Sequence, residues 1–559
     1  MRGAEEPGKG AHAKDGPRRP EQWSLLLRAL YESVRAEQRY ATELAKTAWA
    51  TWNEGPSHTA ANPVQPAPKD WRFTHPVWSA NPYFHLLQQN HLLAQRCVSE
   101  IVEALPLGAR ERGVAQGVAQ FVADALAPTN FPAGNPAALR TALDTGGRSL
   151  LAGARNFLSD ITAVRRLPPL TDLGKFVKGR DVAATEGSVV YRNRIMEVIQ
   201  YKAKTGSVFS TPILVSPPWV NRYYIADIAP GQSIVESLLD RGHTIFTMSY
   251  RNPDASLRDV GFDTYMREAL IPALDVIEDV TGAGSVNLVG ACVGGVLALM
   301  MAAWEADEKR KRISTVTLIN SLIDFSDFTE TLDAGYRREL VESLFLVADR
   351  LMEAKGYVEG KNIDNFFRFL RPNELVWPQV VTSWLLGRES PEHAVLAWSS
   401  DSINVAYRAQ RYLLRDLVMR NALARGEAVF EGKRLRLDRV RQDVFISAAR
   451  EDHIIPWKSA YRTAALLPGD VRFHLVSGGH ILGSATPPRP RTARYWTADH
   501  RMRPDPVGWF ADAVEHRSSW WSAWGEWLDQ RAGARRSPPR TGSSRYPELE
   551  KAPGSYVHT

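Results

Sequence analysis

The chain has 559 residues, 44% of them apolar and 23% charged, and carries a formal net charge of +7. That length supports a large core and more than one domain, and the balance excludes a wholly disordered or fibrous chain. The charge favours anionic ligands, yet no arginine-rich run interleaved with aromatics and no nucleic-acid motif is present, so nucleic acid is not an expected partner.

Residues 1–20 are rich in Gly, Pro and charge, lack the apolar stretch of a secretory signal, and are expected to be disordered. Between Gln22 and Trp52, Leu25, Leu26, Leu30 and Val34 recur at helical spacing and predict one amphipathic helix. EGPSHTAANPVQPAPKD (54–70) reads as a linker, so residues 1–65 are taken as a disordered or linker region holding one helix. Residues 66–180 form a mostly helical N-terminal domain by the same criteria. Its Trp71, Phe73, Trp78, Tyr83 and Phe84 read as packing between helices, with a surface for a partner or a hydrophobic product as the alternative. Cys97 lies on one of these helices with no activating charged pair in view, the pattern of a buried, inert thiol.

From about Phe176 the character changes. GSVVYRN, MEVIQYKA, TPILVSPPW, TIFTMSYRNPD, VNLVGACVGG, STVTLINSLIDF, VRQDVFISAARED and VRFHLVSGGH read as strands. SIVESLLDRGH, TYMREALIPALDVIEDVTGAG and SAYRTAALL fall among them as helices, and the alternation predicts a parallel α/β sheet over residues 181–530. The run Val286–Trp304 is long and apolar enough for a membrane span, and its Gly290-Ala-Cys-Val-Gly294 imitates a small-xxx-small packing motif. Its place in the strand–helix rhythm, with Asp279 before it and Glu305, Asp307 and Glu308 after, decides for a buried strand, a sharp turn and a buried helix. No transmembrane segment is expected. A helical, aromatic-rich insertion at about 329–427 reads as a cap over the sheet's carboxyl edge. SSWWSAWGEWL reads as an aromatic helix, and the Ser/Pro/Arg-rich residues 531–559 as a mobile tail.

Sites in such sheets lie beyond the carboxyl ends of the strands. Cys292, Asp452 and His480 occur there in the nucleophile–acid–histidine order of α/β-hydrolases, which makes the expected fold an α/β-hydrolase with a helical cap insertion. Cys292 stands at a tight turn among Gly290, Gly294 and Gly295, and the following helix directs its N-terminus at the sulfur. His480 follows Gly-Gly and is the expected base, with Asp452 to orient it. Val293 N–H is the expected oxyanion donor, with a second from the loop at Trp219 or Val220. Each residue alone has an ordinary explanation: a packed cysteine, a helix-capping aspartate, a loop histidine. Their joint order outweighs these. His453 beside Asp452 is a competing base. Two scattered cysteines and isolated histidines lack metal-ligand spacing, so no metal is expected. Acyl transfer from thioester to thiol is nearly isoergic, so a cysteine nucleophile suits an acyltransferase better than a simple hydrolase.

From Asp70 to Val557 the sequence resembles the polyhydroxyalkanoate synthases of the single-subunit type, on DWRFTHPVWSANPYF, PTNFPAGNP, GSVVYRNRIMEVIQY, PPWVNRYYIADIAP, SYRNPD, GACVGG, LRPNELVW, EDHIIPW, GHILGSATPP and YPELEKAPGSYV. The resemblance implies the same three residues as nucleophile, acid and base. It implies polymerisation of (R)-3-hydroxyacyl-CoA with release of CoA, no cofactor beyond the CoA thioester substrate, a homodimer, and a cytoplasmic protein bound to polyester granules and their associated proteins. Trp398-Ser-Ser-Asp401, Asn404-Val-Ala and GSATPP depart from the family's usual Trp-Asn, Asn-Leu-Pro and Asn-Pro-Pro, which bears on substrate range. A cysteine thioesterase or esterase of the same fold and a non-catalytic granule protein are the alternatives.

Overall fold

The computed structural model describes residues 20–67, 70–162, 167–326, 346, 348–370, 372–452, 454–481, 483, 492–499, 501 and 503–559. The disorder expected of residues 1–19 and the competing base His453 lie outside them. The chain divides into two compact units, Met1–Pro168 with Pro372–Glu389, and Pro169–Arg371 with Ser390–Thr559.

The first unit is helical: α1 (Pro20–Asn53), α2 (Pro82–Ala104), α3 (Ala109–Ala125), α4 (Pro136–Asp144) and α5 (Arg148–Thr162). The helix expected from the leucine spacing is present, but its buried face differs. Ala29, Ala36, Thr47, Ala50 and Thr51 are buried, whereas Leu25, Leu30 and Val34 are exposed. Small residues let α1 lie close along α2, where the Tyr40 hydroxyl donates to Asn90 Oδ1 (2.7 Å). Asn81 caps α2 by accepting the N–H groups of Tyr83 and Phe84, with Pro82 at the first helical position. The stretch read as a linker is tied down. Val64 and Gln89 exchange two hydrogen bonds, and His85 bonds the carbonyls of Trp78 and Ala61. Phe73, Trp78 and Leu92 form a small core, with Phe73 and Trp78 edge to face at 5.0 Å.

Residues Pro372–Glu389, inside the stretch read as cap, return to this helical unit. The Trp384 indole meets Phe157 edge-on at 4.9 Å and donates to Asp160 (2.8 Å). Gly153 has no room for a side chain there, since a Cβ would strike the Trp384 carbonyl.

The second unit is built on one sheet of eleven strands. They are β1 (Gly187–Arg192), β2 (Met196–Tyr201), β3 (Ile213–Ser216), β4 (Ile245–Tyr250), β5 (Val286–Ala291), β6 (Ile313–Ile319), β7 (Asp443–Ala449), β8 (Val471–Val476), β9 (Tyr495–Thr497), β10 (Val514–His516) and β11 (Glu550–Lys551). Their order is β10-β9-β8-β7-β6-β5-β3-β4-β2-β1-β11. The strands from β3 to β8 run parallel, while β1, β2, β9, β10 and β11 pair antiparallel at the two ends. This is the strand order of an α/β-hydrolase, and it brings the carboxyl ends of β3, β5, β6, β7 and β8 to one edge. Helices α6 (Ile234–Asp240), α7 (Ile271–Thr281), α8 (Val293–Glu305), α9 (Trp457–Ala465) and α10 (Trp520–Asp529) accompany the strands. Gly282, at φ 66°, ends α7 in a left-handed cap. The run that imitated a membrane span is β5 and α8, and no described helix is long and apolar enough to cross a membrane.

The tryptophan-rich helix α10 is core. Trp520, Trp521, Trp524 and Trp527 are buried, and the Trp524 indole donates to Thr317 Oγ1 of β6 (3.0 Å). The residues expected as a mobile tail are also fixed. Arg535–Arg536 pairs with Val208–Phe209, β11 pairs with β1, and the buried Glu197 carboxylate accepts the N–H groups of Ser555 and Tyr556 (3.3 and 3.1 Å). Composition alone misread this stretch because its partners lie more than 300 residues away.

Candidate active site

β5 ends at Ala291 and α8 starts at Val293, leaving Cys292 alone to make the turn. Its φ of 51° and ψ of −123° lie where a residue with a Cβ rarely sits. Two hydrogen bonds fix it: Cys292 N–H donates to Ile319 O of β6 (2.9 Å), and Gly295 N–H donates to Cys292 O (3.0 Å). The turn closes this tightly only over glycine. A Cβ on Gly294 would fall on the Ser216 carbonyl, and one on Gly290 would fall on the Gly295 Cα. Gly290, expected with Val293, Trp219 and Val220 to line the oxyanion and substrate region, thus also makes room under the turn. Cys292 is left partly exposed.

Val293 is the first residue of α8, directly after Cys292, so its N–H has no acceptor within the helix and lies at the positive end of the helix dipole. The loop after β3 approaches the same turn through Ser216 and Pro217. Trp219 in that loop turns its indole inward, stacked on Tyr265 (4.6 Å) and edge-on to Phe262 (4.7 Å). Its buried side chain anchors the loop in the core. Val220 is partly buried against the same core that Cys292 touches. The next residues are braced in turn, because the Trp398 indole donates to Arg222 O (2.8 Å) and Asp401 accepts from Tyr224 (2.7 Å) and Lys178 (2.7 Å).

Asp452 follows β7 and His480 follows β8. The His480 Nδ1–H donates to Asp452 Oδ2 at 2.6 Å. Asp452 Oδ1 accepts the N–H groups of Ile454 (2.8 Å) and Ile455 (2.9 Å), and the carboxylate is wholly buried. Burial alone would lower the His480 pKa. The hydrogen bond and charge of Asp452, followed by those of Cys292, outweigh burial and raise it to about 10. The three predicted residues thus meet as one hydrogen-bonded set in which a protonated imidazole sits between a carboxylate and a sulfur.

Cys97 is different. Burial, with the carboxylates of Glu100 and Glu37 nearby, pushes its thiol up, which disfavours the reactive form. Among the described residues no three His, Cys, Asp or Glu side chains cluster as metal ligands. Asn320, just after β6, touches the backbone of both β7 and the His480 loop and went unremarked in the sequence. An asparagine ending a parallel strand beside the nucleophile's strand was the available signal.

Residues 69–238 match the family described as "Poly-beta-hydroxybutyrate polymerase (PhaC) N-terminus", and residues 225–483 match the alpha/beta hydrolase fold. The chain is 36% identical over 527 residues to the poly(3-hydroxyalkanoate) polymerase subunit PhaC of Cupriavidus necator, covering 93% of this chain and 87% of that one. It is 35% identical over 504 residues to a poly(3-hydroxyalkanoate) polymerase of Methylorubrum extorquens, covering 88% and 81%. Poly(3-hydroxyalkanoate) polymerase 2 of Ectopseudomonas oleovorans is 35% identical over 500 residues, covering 89% and 88%.

Proposed function

The chain belongs to the poly(3-hydroxyalkanoate) polymerase family, and on that premise we propose that Cys292, His480 and Asp452 carry out the acyl transfers that build the polyester. The protein is an acyltransferase that polymerises 3-hydroxyacyl groups. The substrate is an (R)-3-hydroxyacyl-CoA, and the reaction needs no other cofactor. The Cys292 thiolate attacks the thioester carbonyl, and the oxyanion that forms is held by Val293 N–H and a donor of the Trp219–Val220 turn. The C–S bond to CoA breaks, and His480, protonated at the outset, gives its proton to the departing CoA thiolate. Neutral His480 then takes the proton of a second 3-hydroxyl as that oxygen attacks the Cys292 thioester. An ester forms, and the thiolate–imidazolium pair is restored.

Asp452 is a poor candidate for activating that hydroxyl. Its oxygens already serve Ile454, Ile455 and His480, and its carboxylate is out of solvent. The observation that carries the reading is the 2.6 Å bond between His480 and Asp452 at the strand ends flanking a strained cysteine. Cys292→Ala should abolish CoA release from 3-hydroxybutyryl-CoA; continued release would refute the role of the sulfur. Free hydroxy acid plus CoA without polymer from the unaltered protein would identify a thioesterase instead.

The product surface belongs to the same proposal. Leu25, Leu27, Leu30, Tyr31, Trp49 and Trp52 of α1 are large and exposed, a face suited to a polyester granule. Association with granule proteins and a homodimer in the cytoplasm are expected to accompany it, and are read by sedimentation of the purified protein and by its partition to granules.

A further inference from the structure

The last residue of β6 and the one after it reach all three strands that deliver the site. Ile319 O accepts the Cys292 N–H (2.9 Å). Asn320 follows at φ 44° and is 2% exposed. Its N–H donates to Ser447 O of β7 (2.8 Å). Its side-chain Oδ1 accepts the Ala449 N–H (3.0 Å), and Ala449 O in turn accepts the Asp452 N–H (3.2 Å). Its Nδ2 donates to the backbone carbonyl of His480 itself. One planar amide thus fixes the turn that carries the acid to the loop that carries the base, and its own strand holds the nucleophile.

We infer that Asn320 is a positioning residue, which holds His480 and Asp452 in register with Cys292 through these two side-chain hydrogen bonds. The inference rests on the reading of Cys292, His480 and Asp452 given above. The residue type is demanded by three conditions at once. The backbone is left-handed, which asparagine tolerates better than most residues with a side chain. One buried N–H needs an acceptor and one buried carbonyl needs a donor, at the two ends of a single short group. Aspartate lacks the donor, and glycine fits the backbone but supplies neither. Without the amide, the buried Ala449 N–H loses its acceptor, and the His480 loop loses its tie to β6.

The test uses the full chain carrying Cys97→Ala, so that a single thiol reports. Iodoacetamide alkylation of Cys292 is followed against pH, together with CoA release. The unsubstituted site should alkylate faster than an ordinary thiol, because His480 stands beside the sulfur as its base. In Asn320→Gly, which keeps the backbone relaxed, the acid-side midpoint of alkylation should rise by about one pH unit or more, a tenfold loss of thiolate at a fixed pH. CoA release should fall about tenfold, with the far-ultraviolet dichroism spectrum retained. Unchanged turnover, or lower turnover with an unshifted profile, overturns the assignment, the second outcome showing a merely structural residue. If Asn320→Gly does not fold, Asn320→Ser, too short to bridge the two partners, is expected to show the same shift, and an unshifted profile there overturns it equally. Failure of the underlying reading looks different: the unsubstituted site would itself alkylate as an ordinary thiol.

Discussion

Cys292 is held at φ 51° with its sulfur against an imidazole that keeps its proton, so backbone strain and charge converge on one atom. A strained position of this kind costs of order 1–3 kcal/mol and persists only where the surroundings over-determine it. Gly294→Ala should therefore lose both folding stability, by about 1–3 kcal/mol, and CoA release, since the new methyl falls on the Ser216 carbonyl. Urea unfolding and CoA release read the two losses separately. His480 also links stability to pH. Its pKa rises from an ordinary 6.5 to about 10 in the folded chain. The protonated form is then favoured by folding, so its contribution is complete below about pH 6.5 and fades as pH climbs towards about 10. Relative to His480→Gln, the unaltered protein should lose stability over that interval, as read by unfolding midpoints at pH 6 and pH 10. Asp452→Asn removes the charge that raises the imidazole, and should slow acylation at least about 100-fold at neutral pH, measured by the burst of CoA. Cys292, Asp452 and His480 could be picked out together because each follows a recognisable strand in a recognisable order. Asn320 was not, because its side-chain partners lie 129 and 160 residues away and only the sheet brings them together.

Among the elements, period and composition announced the strands and failed where polar residues pair over long distances. β5, β6 and β7 are buried along nearly their whole length, as a doubly covered parallel strand requires, whereas β8 alternates, with Arg472 exposed. β11 is only Glu550 and Lys551, and no property of two charged residues foretells an edge strand. Helix α1 shows a subtler failure. The leucines gave its period correctly, but the buried stripe is made of alanines and threonines, so a hydrophobic-face rule chose the wrong side. Replacing Leu25, Leu30 and Val34 by glutamine should leave thermal unfolding within about 1 kcal/mol of the parent, as expected of exposed positions, while reducing partition to polyester granules. Loss of folding instead would mean that this side is buried. On α10 the reverse applies. Trp524→Ala removes a fully buried indole and its bond to Thr317, and should cost about 3–5 kcal/mol in denaturant unfolding.

At the scale of the whole molecule, the chain crosses between its two units three times, after Pro168, Arg371 and Glu389. A helical first part and a sheet-bearing second part were legible from composition. The return of Pro372–Glu389 to the helices was not, because that segment is as helical and aromatic as the insertion around it, and only contacts such as Trp384 with Phe157 and Asp160 assign it. Removing residues 548–559 would bare the edge of β1 and leave the buried Glu197 carboxylate with Arg192 as its main partner. Such a truncated chain should melt at lower temperature and scatter light at concentrations where the parent stays clear. The returning segment also sets a clock on synthesis. The helical unit is begun first on the ribosome, yet its last piece is translated only after residues 169–371, which hold β1 to β6. At bacterial-to-eukaryotic elongation rates, those residues take roughly 10–40 s to make. Through that interval the Asp160 and Phe157 surface of α5 waits for Trp384, and six strands of the sheet emerge before the first unit can close.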